Sequence, residues 1–119
     1  MMKKTILLLT IGLVFFSSCK KNVAPIVIKK NITYKVNSTA ERLSVNYYNE
    51  HGVMVASEIV GKTWQYDFKA TPNTYLYLGA KNLTPTGSVN IEILVNDKVK
   101  FKNSTVLPYG AVNCSGFVD

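Results

Sequence analysis

Apolar residues in this chain recur at every second position, in short runs broken by turn residues, and that alternation restricts the fold more than any other feature. "NITYKVN" (Asn31–Asn37) sets Ile32, Tyr34 and Val36 against Thr33, Lys35 and Asn37, and "RLSVNYYN" sets Leu43, Val45 and Tyr47 against Ser44, Asn46 and Tyr48. "KTWQYDFK" puts Trp64, Tyr66 and Phe68 on one side; "TYLYLGA" opposes Leu76, Leu78 and Ala80 to Tyr75 and Tyr77; "SVNIEILV" opposes Val89, Ile91, Ile93 and Val95 to Asn90, Glu92 and Leu94. A β-strand sends successive side chains to opposite faces, so each of these runs has one face to bury. "VMVASEIV", "KVKF" and "GAVNCSGFV" complete the series, with "NEHG", "ATPN" and "NLTPTG" as turns and loop between runs. Asn96–Asp97 separates two runs and suits a tight hairpin turn. Beyond residue 18 no segment keeps a helical period for more than one turn. Seven or eight short strands at roughly ten-residue spacing predict an all-β protein, a sandwich of two sheets.

The first 18 residues stand apart. Lys3 and Lys4 precede the apolar run "TILLLTIGLVFF", followed by Ser17, Ser18 and Cys19. A positive start, an apolar stretch and small residues before a cut are the layout of a secretory signal peptide. The run is short for a bilayer span, which takes roughly 20 residues. "FSSC" (Phe16–Cys19) resembles the lipobox of bacterial lipoproteins, with Phe16 where leucine is usual, and "SSCKKN" resembles the leaders of Bacteroidetes lipoproteins. The resemblance implies cleavage before Cys19 and acylation of Cys19 as the new first residue. Several acyl chains hold a protein firmly where one binds only marginally. The expected organisation is a signal peptide over 1–18, a lipidated Cys19 and tether over 19–31, and a β-sandwich over 32–119. The expected location is the cell envelope, at the outer membrane.

Removing residues 1–18 takes two of the 14 basic residues and none of the 7 acidic ones, which leaves a formal charge of +5. A positive balance favours anionic lipid headgroups or acidic polysaccharide. The lysines are scattered through the strands, however, where they keep sheet edges and faces solvated. Arginine occurs once, at Arg42. Readers of nucleic acid rely on arginine, and an exported chain rarely meets that partner, so no nucleic acid is expected.

The ordered series of strands resembles the soluble domain of the mycobacterial MmpS family of small membrane proteins. The matching segments are "TYKV" (Thr33–Val36), "VNYYNEHG" (Val45–Gly52), "KTWQYDF" (Lys62–Phe68), "YLGA" (Tyr77–Ala80), "GSVNIEILVND" (Gly87–Asp97) and "PYGAVNCSG" (Pro108–Gly116). That resemblance implies an immunoglobulin-like sandwich and, by analogy of fold, an accessory role beside an envelope transporter. Two features depart from the family. Its anchor is a transmembrane helix, and its internal cysteine falls on Ile91 here, so Cys114 has no intramolecular partner. Cys114 is then either a buried thiol serving as a small apolar residue, with Val112 and Gly116 on its face, or a thiol open to intermolecular chemistry.

Little in the chain points to catalysis. The single histidine, His51, sits in the turn "NEHG" beside Glu50, and no nucleophile elbow accompanies it. Paired-carboxylate hydrolysis would have to draw on Glu58, Asp67 and Glu92, in a larger cleft than a domain of this size usually forms. The acids and cysteines are too dispersed for a metal site, and no glycine-rich loop cradles phosphate, so neither metal nor cofactor is expected. The expectation is a non-catalytic interaction or accessory module. The alternative is a ligand-binding lipoprotein that recognises glycan or peptide through Tyr48, Tyr75 and Tyr77. These three oppose buried neighbours and so face outward, where tyrosine either offers contact area to a ligand at low entropic cost or simply stabilises the sheet face through cross-strand pairs. Trp64 is expected to be the core tryptophan of the sandwich.

Overall fold

The computed structural model describes residues 28–119. The expected signal peptide, Cys19 and most of the tether lie outside the described residues. Eight strands follow one another: β1 (Lys30–Ser38), β2 (Arg42–Tyr48), β3 (Met54–Val60), β4 (Thr63–Ala70), β5 (Tyr75–Asn82), β6 (Val89–Val95), β7 (Lys98–Thr105) and β8 (Ala111–Phe117). They form two four-stranded antiparallel sheets, ordered β4-β1-β6-β7 and β3-β2-β5-β8. The sheets face one another as an immunoglobulin-like sandwich, as the strand series implies.

The alternation decides what lies between the sheets. Ile32, Tyr34 and Val36 of β1 and Val89, Ile91 and Ile93 of β6 meet Leu43, Val45 and Tyr47 of β2, Leu76, Leu78 and Ala80 of β5, and Val112 and Cys114 of β8. Burying each such aliphatic side chain contributes roughly 1.5–3 kcal/mol, so these two facing rows dominate the stability. Trp64 does not sit at the centre. It lies on β4, an edge strand, and packs half-buried against the core beside Tyr66 and Phe68. The central aromatic is Tyr34, fully enclosed, because β1 has a strand on each side and β4 has only one.

Turn chemistry sets the registers. Asn96 (φ 51°) and Asp97 (φ 66°) both adopt left-handed backbone, which a two-residue hairpin turn of this twist requires. Asn96 also clamps the start of β1: its N–H donates to the Asn31 carbonyl (2.8 Å) and its Oδ1 accepts from the Asn31 N–H (3.0 Å). Lys30 and Asn31, expected in the tether, therefore belong to β1. At the other end of the sandwich, buried Asn82 organises the loop after β5. Its Nδ2 donates to the Thr86 carbonyl (2.9 Å) and its Oδ1 accepts from the Thr84 N–H (2.8 Å).

Candidate functional site

Register places the three sequence-predicted tyrosines together. The β2–β5 ladder ends at Tyr47 opposite Leu78, so the next residues, Tyr48 and Tyr77, face each other on the outer surface of the sheet. Tyr75 lies two residues before Tyr77 on the same face. The Tyr48 ring stands edge-on to both, with centroids 5.9 Å from Tyr75 and 5.9 Å from Tyr77. A fourth aromatic completes the group. Phe117 pairs with Tyr75 across β5–β8, at 5.2 Å between centroids, and is 60% exposed. Sequence reading passed over Phe117, although Val112, Cys114 and Gly116 as the inward positions of β8 imply that it points out.

The four rings are not equivalent. Tyr77 lies back along its own strand over Gly79: a Cβ on Gly79 would come within 3.0 Å of the Tyr77 hydroxyl and 2.6 Å of Asn46 Oδ1. Tyr77 and Asn46 thus cover bare glycine backbone. Tyr75, 42% exposed, and Phe117 present the more open rings, with Tyr48 half-buried between the strands. Around them the outward strand positions are Met54, Asn46, Ser115 and Asn113, none of them charged; along the strands the first charges are Glu58 and Lys81, and past the strand ends Glu50 and Asp119 are engaged by Tyr66 and Lys100.

A core residue holds this surface from beneath. The Tyr34 hydroxyl crosses from the opposite sheet and donates to the Tyr48 carbonyl at 2.8 Å, and the Tyr77 backbone N–H approaches it from the other side. The hydroxyl therefore occupies the gap between Tyr48 and Tyr77, where the β2–β5 ladder stops. Burial pushes the Tyr34 hydroxyl well above its ordinary pKa, so it stays protonated and donating.

The remaining candidates are dispersed. His51 is exposed in its turn, where its backbone N–H donates to Asn49 Oδ1 at 2.9 Å. Glu58 lies on the outer face of one sheet and is held by Arg42 at 2.5 Å. Asp67 and Glu92 lie on the outer face of the other sheet, two strands apart, opposite Thr33 and Lys35. The structure brings no pair of these carboxylates together. Among the described residues no three His, Cys, Asp or Glu side chains form a metal-ligating group. Cys114 is buried and free, and burial raises its thiol pKa to about 11, which keeps it in the unreactive protonated form. Beside β4 a shallow groove of about 460 Å³ is lined by Thr33, Gln65, Asp67 and Lys69. Its polar groups are already engaged with one another, since Asp67 accepts from Thr33 (2.8 Å) and Gln65 (3.0 Å).

No protein-family model and no curated protein matches this chain.

Proposed function

We propose that this chain is a lipid-anchored, non-catalytic recognition module of the bacterial cell envelope, and that it binds neutral glycan on the aromatic end of the β3-β2-β5-β8 face. One observation carries the reading: Tyr48, Tyr75, Tyr77 and Phe117 share a single uncharged surface, with aromatic centroids 5.2 to 5.9 Å apart. Contiguous exposed apolar surface on a small domain marks interaction sites. Aromatic faces flanked by amide and hydroxyl groups suit sugar rings, which present apolar C–H faces and hydroxyl edges. The uncharged neighbours Asn46, Asn113 and Ser115 favour a neutral ligand over the acidic polysaccharide that net charge alone would suggest. Attachment through Cys19 supplies the envelope location.

The test is calorimetric titration of the lipoprotein in detergent with a panel of neutral oligosaccharides and uncharged peptides. Saturable binding of an oligosaccharide that Tyr75→Ser and Phe117→Ala abolish is the expected result. Binding unchanged by both substitutions removes the site, and binding of peptides alone transfers it to protein recognition. The same surface would serve a protein, including the envelope transporter that the strand resemblance implies. Crosslinking in intact cells, with mass spectrometry of the captured species, separates a protein partner from a glycan.

A further inference from the structure

The four edge strands of the sandwich are protected very unequally. β7 carries Lys98, Lys100 and Lys102, and the β6–β7 ladder has a bulge at Ile93/Leu94. β8 has its Asn113 carbonyl occupied by Asn103 Nδ2 at 3.0 Å. β4 alternates Asp67 and Lys69 with its neutral residues. Lysines, bulges and covering groups are the devices that stop an edge from pairing with another strand. β3 has none of them. Its sequence, MVASEIV, contains no proline, glycine or lysine, and Arg42 neutralises its one charge, Glu58. Among the described residues β3 pairs only with β2.

The exposed backbone groups of β3 can be assigned. The Asn49 N–H donates to the Val53 carbonyl at 3.0 Å, which fixes that pair as hydrogen-bonded. Alternation along the ladder then makes Tyr47–Val55, Val45–Ser57 and Leu43–Ile59 the bonded pairs. The N–H and C=O groups of Met54, Ala56, Glu58 and Val60 therefore point away from β2, toward the open edge.

We infer that this edge pairs with β3 of a second copy of the chain, antiparallel about Ser57, to join two β3-β2-β5-β8 sheets into one. That register uses all four outward-pointing residues: Met54 meets Val60 of the second copy, and Ala56 meets Glu58 of the second copy. It lays Met54 (44% exposed) against Val60 (82% exposed) and Val55 against Ile59, which are the apolar residues the single chain leaves open or half-open on this strand. Sliding the register one way sets Glu58 opposite its own copy, which like charge disfavours. Sliding it the other way leaves Val60 without a partner. The two-fold axis runs perpendicular to the joined sheet. With Cys19 lipidated, both anchors reach one membrane only if that sheet lies parallel to it. Because each chain enters through β1 of the other sheet, the lysine-bearing face turns inward and the aromatic face outward. Five strand spacings, about 24 Å, separate the two copies of β5.

The register makes the test specific. Ser57→Cys puts two thiols across a pair whose Cα atoms stand about 4.5 Å apart, within disulfide reach. In intact cells under a mild thiol oxidant this variant is expected to give a covalent dimer, and Ala56→Cys, facing Glu58 instead of itself, much less. Sedimentation of the full lipoprotein in detergent is expected to show a dimer. Ala56→Pro removes only an outward N–H, leaves the β2 ladder intact, and raises the dissociation constant at least about tenfold. A monomer at every concentration, equal crosslinking of the two cysteine variants, or β3 crosslinked to a different protein would each overturn the inference.

Discussion

The two outer faces of the sandwich are built on strands of similar length, yet they carry opposite chemistry. Across β4-β1-β6-β7 one cross-strand row reads Gln65, Lys35, Glu92, Lys102, with alternating charges directly opposed. Across β3-β2-β5-β8 the corresponding outward row holds Met54, Tyr48, Tyr77 and Ser115, with Tyr75 and Phe117 beside it. The first row is what solubility asks of a sheet face: mixed charges, each partly offset by its neighbour. The second stabilises its sheet through cross-strand aromatic pairs, and it leaves Tyr75 and Phe117 open beyond what that pairing covers. Alternation fixes which residues point inward and leaves the outward set free. Function is therefore best sought where the outward set departs from the solvated pattern.

The largest expected effect removes both faces together. A Cβ on Gly116 would stand 2.1 Å from the Phe101 ring, which reaches from β7 across to β8 and closes that side of the sandwich. Gly116→Ala is expected to lower stability by about 2 kcal/mol, read as a shift in urea midpoint at unchanged slope. A change below about 0.5 kcal/mol would show that Phe101 is free to swing out and does not couple the sheets. Next in size is a split between the faces. Tyr75→Ala with Phe117→Ala should weaken ligand binding at least about tenfold, as aromatic anchors do, while Lys35→Ala with Lys102→Ala leaves it unchanged. Equal losses from both pairs would mean that the faces do not differ in function.

Two buried groups beneath the aromatic face sharpen the contrast. Ionising Cys114 on β8 would place a charge in the core. Its folded pKa is raised to about 11 from an ordinary 9.0, so its contribution is complete below pH 9 and disappears as pH climbs through 11. The expected loss is about 1–2 kcal/mol after partial screening, and Cys114→Ala should flatten that part of the pH–stability curve. Tyr34→Phe deletes the hydroxyl between Tyr48 and Tyr77 and should cost about 1 kcal/mol. Ligand affinity should fall with it, although Tyr34 itself touches no ligand; unchanged affinity would separate the core from the site.

Most of the core was legible from alternation alone, since Leu43, Val45, Tyr47, Leu76 and Leu78 are buried where period two puts them. The same rule placed Tyr48, Tyr75 and Tyr77 outside. It could not show that they meet, because pairing partners in a sandwich come from distant sequence: β2 finds β5 and β1 finds β6. For the same reason Trp64 was expected in the centre. Its hydrophobic pattern matches that of a central strand, and only topology reveals that β4 is an edge. Phe117 was readable but stood at the end of a run, where alternation has fewest neighbours to confirm it. The hydroxyl of Tyr34 had no signature at all, because its partners belong to the backbone of other strands.

The smallest effect tests whether the two sides of the sandwich are tied alike. On one side Tyr66 of β4 donates to Glu50 in the β2–β3 turn; on the other Lys100 of β7 pairs with Asp119 after β8. Both ties cross between sheets at the end where β1 begins. The Tyr66 hydrogen bond holds the Glu50 carboxyl below its ordinary range, and the same bond raises the Tyr66 hydroxyl to about 12. A depressed carboxyl contributes stability above its unfolded pKa and loses it as pH falls through the folded value. A raised phenol contributes fully below its unfolded pKa and loses it as pH rises through the folded value. The tie should therefore act from about pH 4.5 to about pH 10 and fade on both flanks. Tyr66→Phe should lower the melting temperature slightly and evenly across that window, with the difference from wild type closing at either extreme. Asp119→Asn, whose carboxyl Lys100 holds down, should close as pH falls through the acid flank. A Tyr66→Phe difference that persists at pH 3 would mean that the hydroxyl ties that side without needing an ionised Glu50 carboxylate.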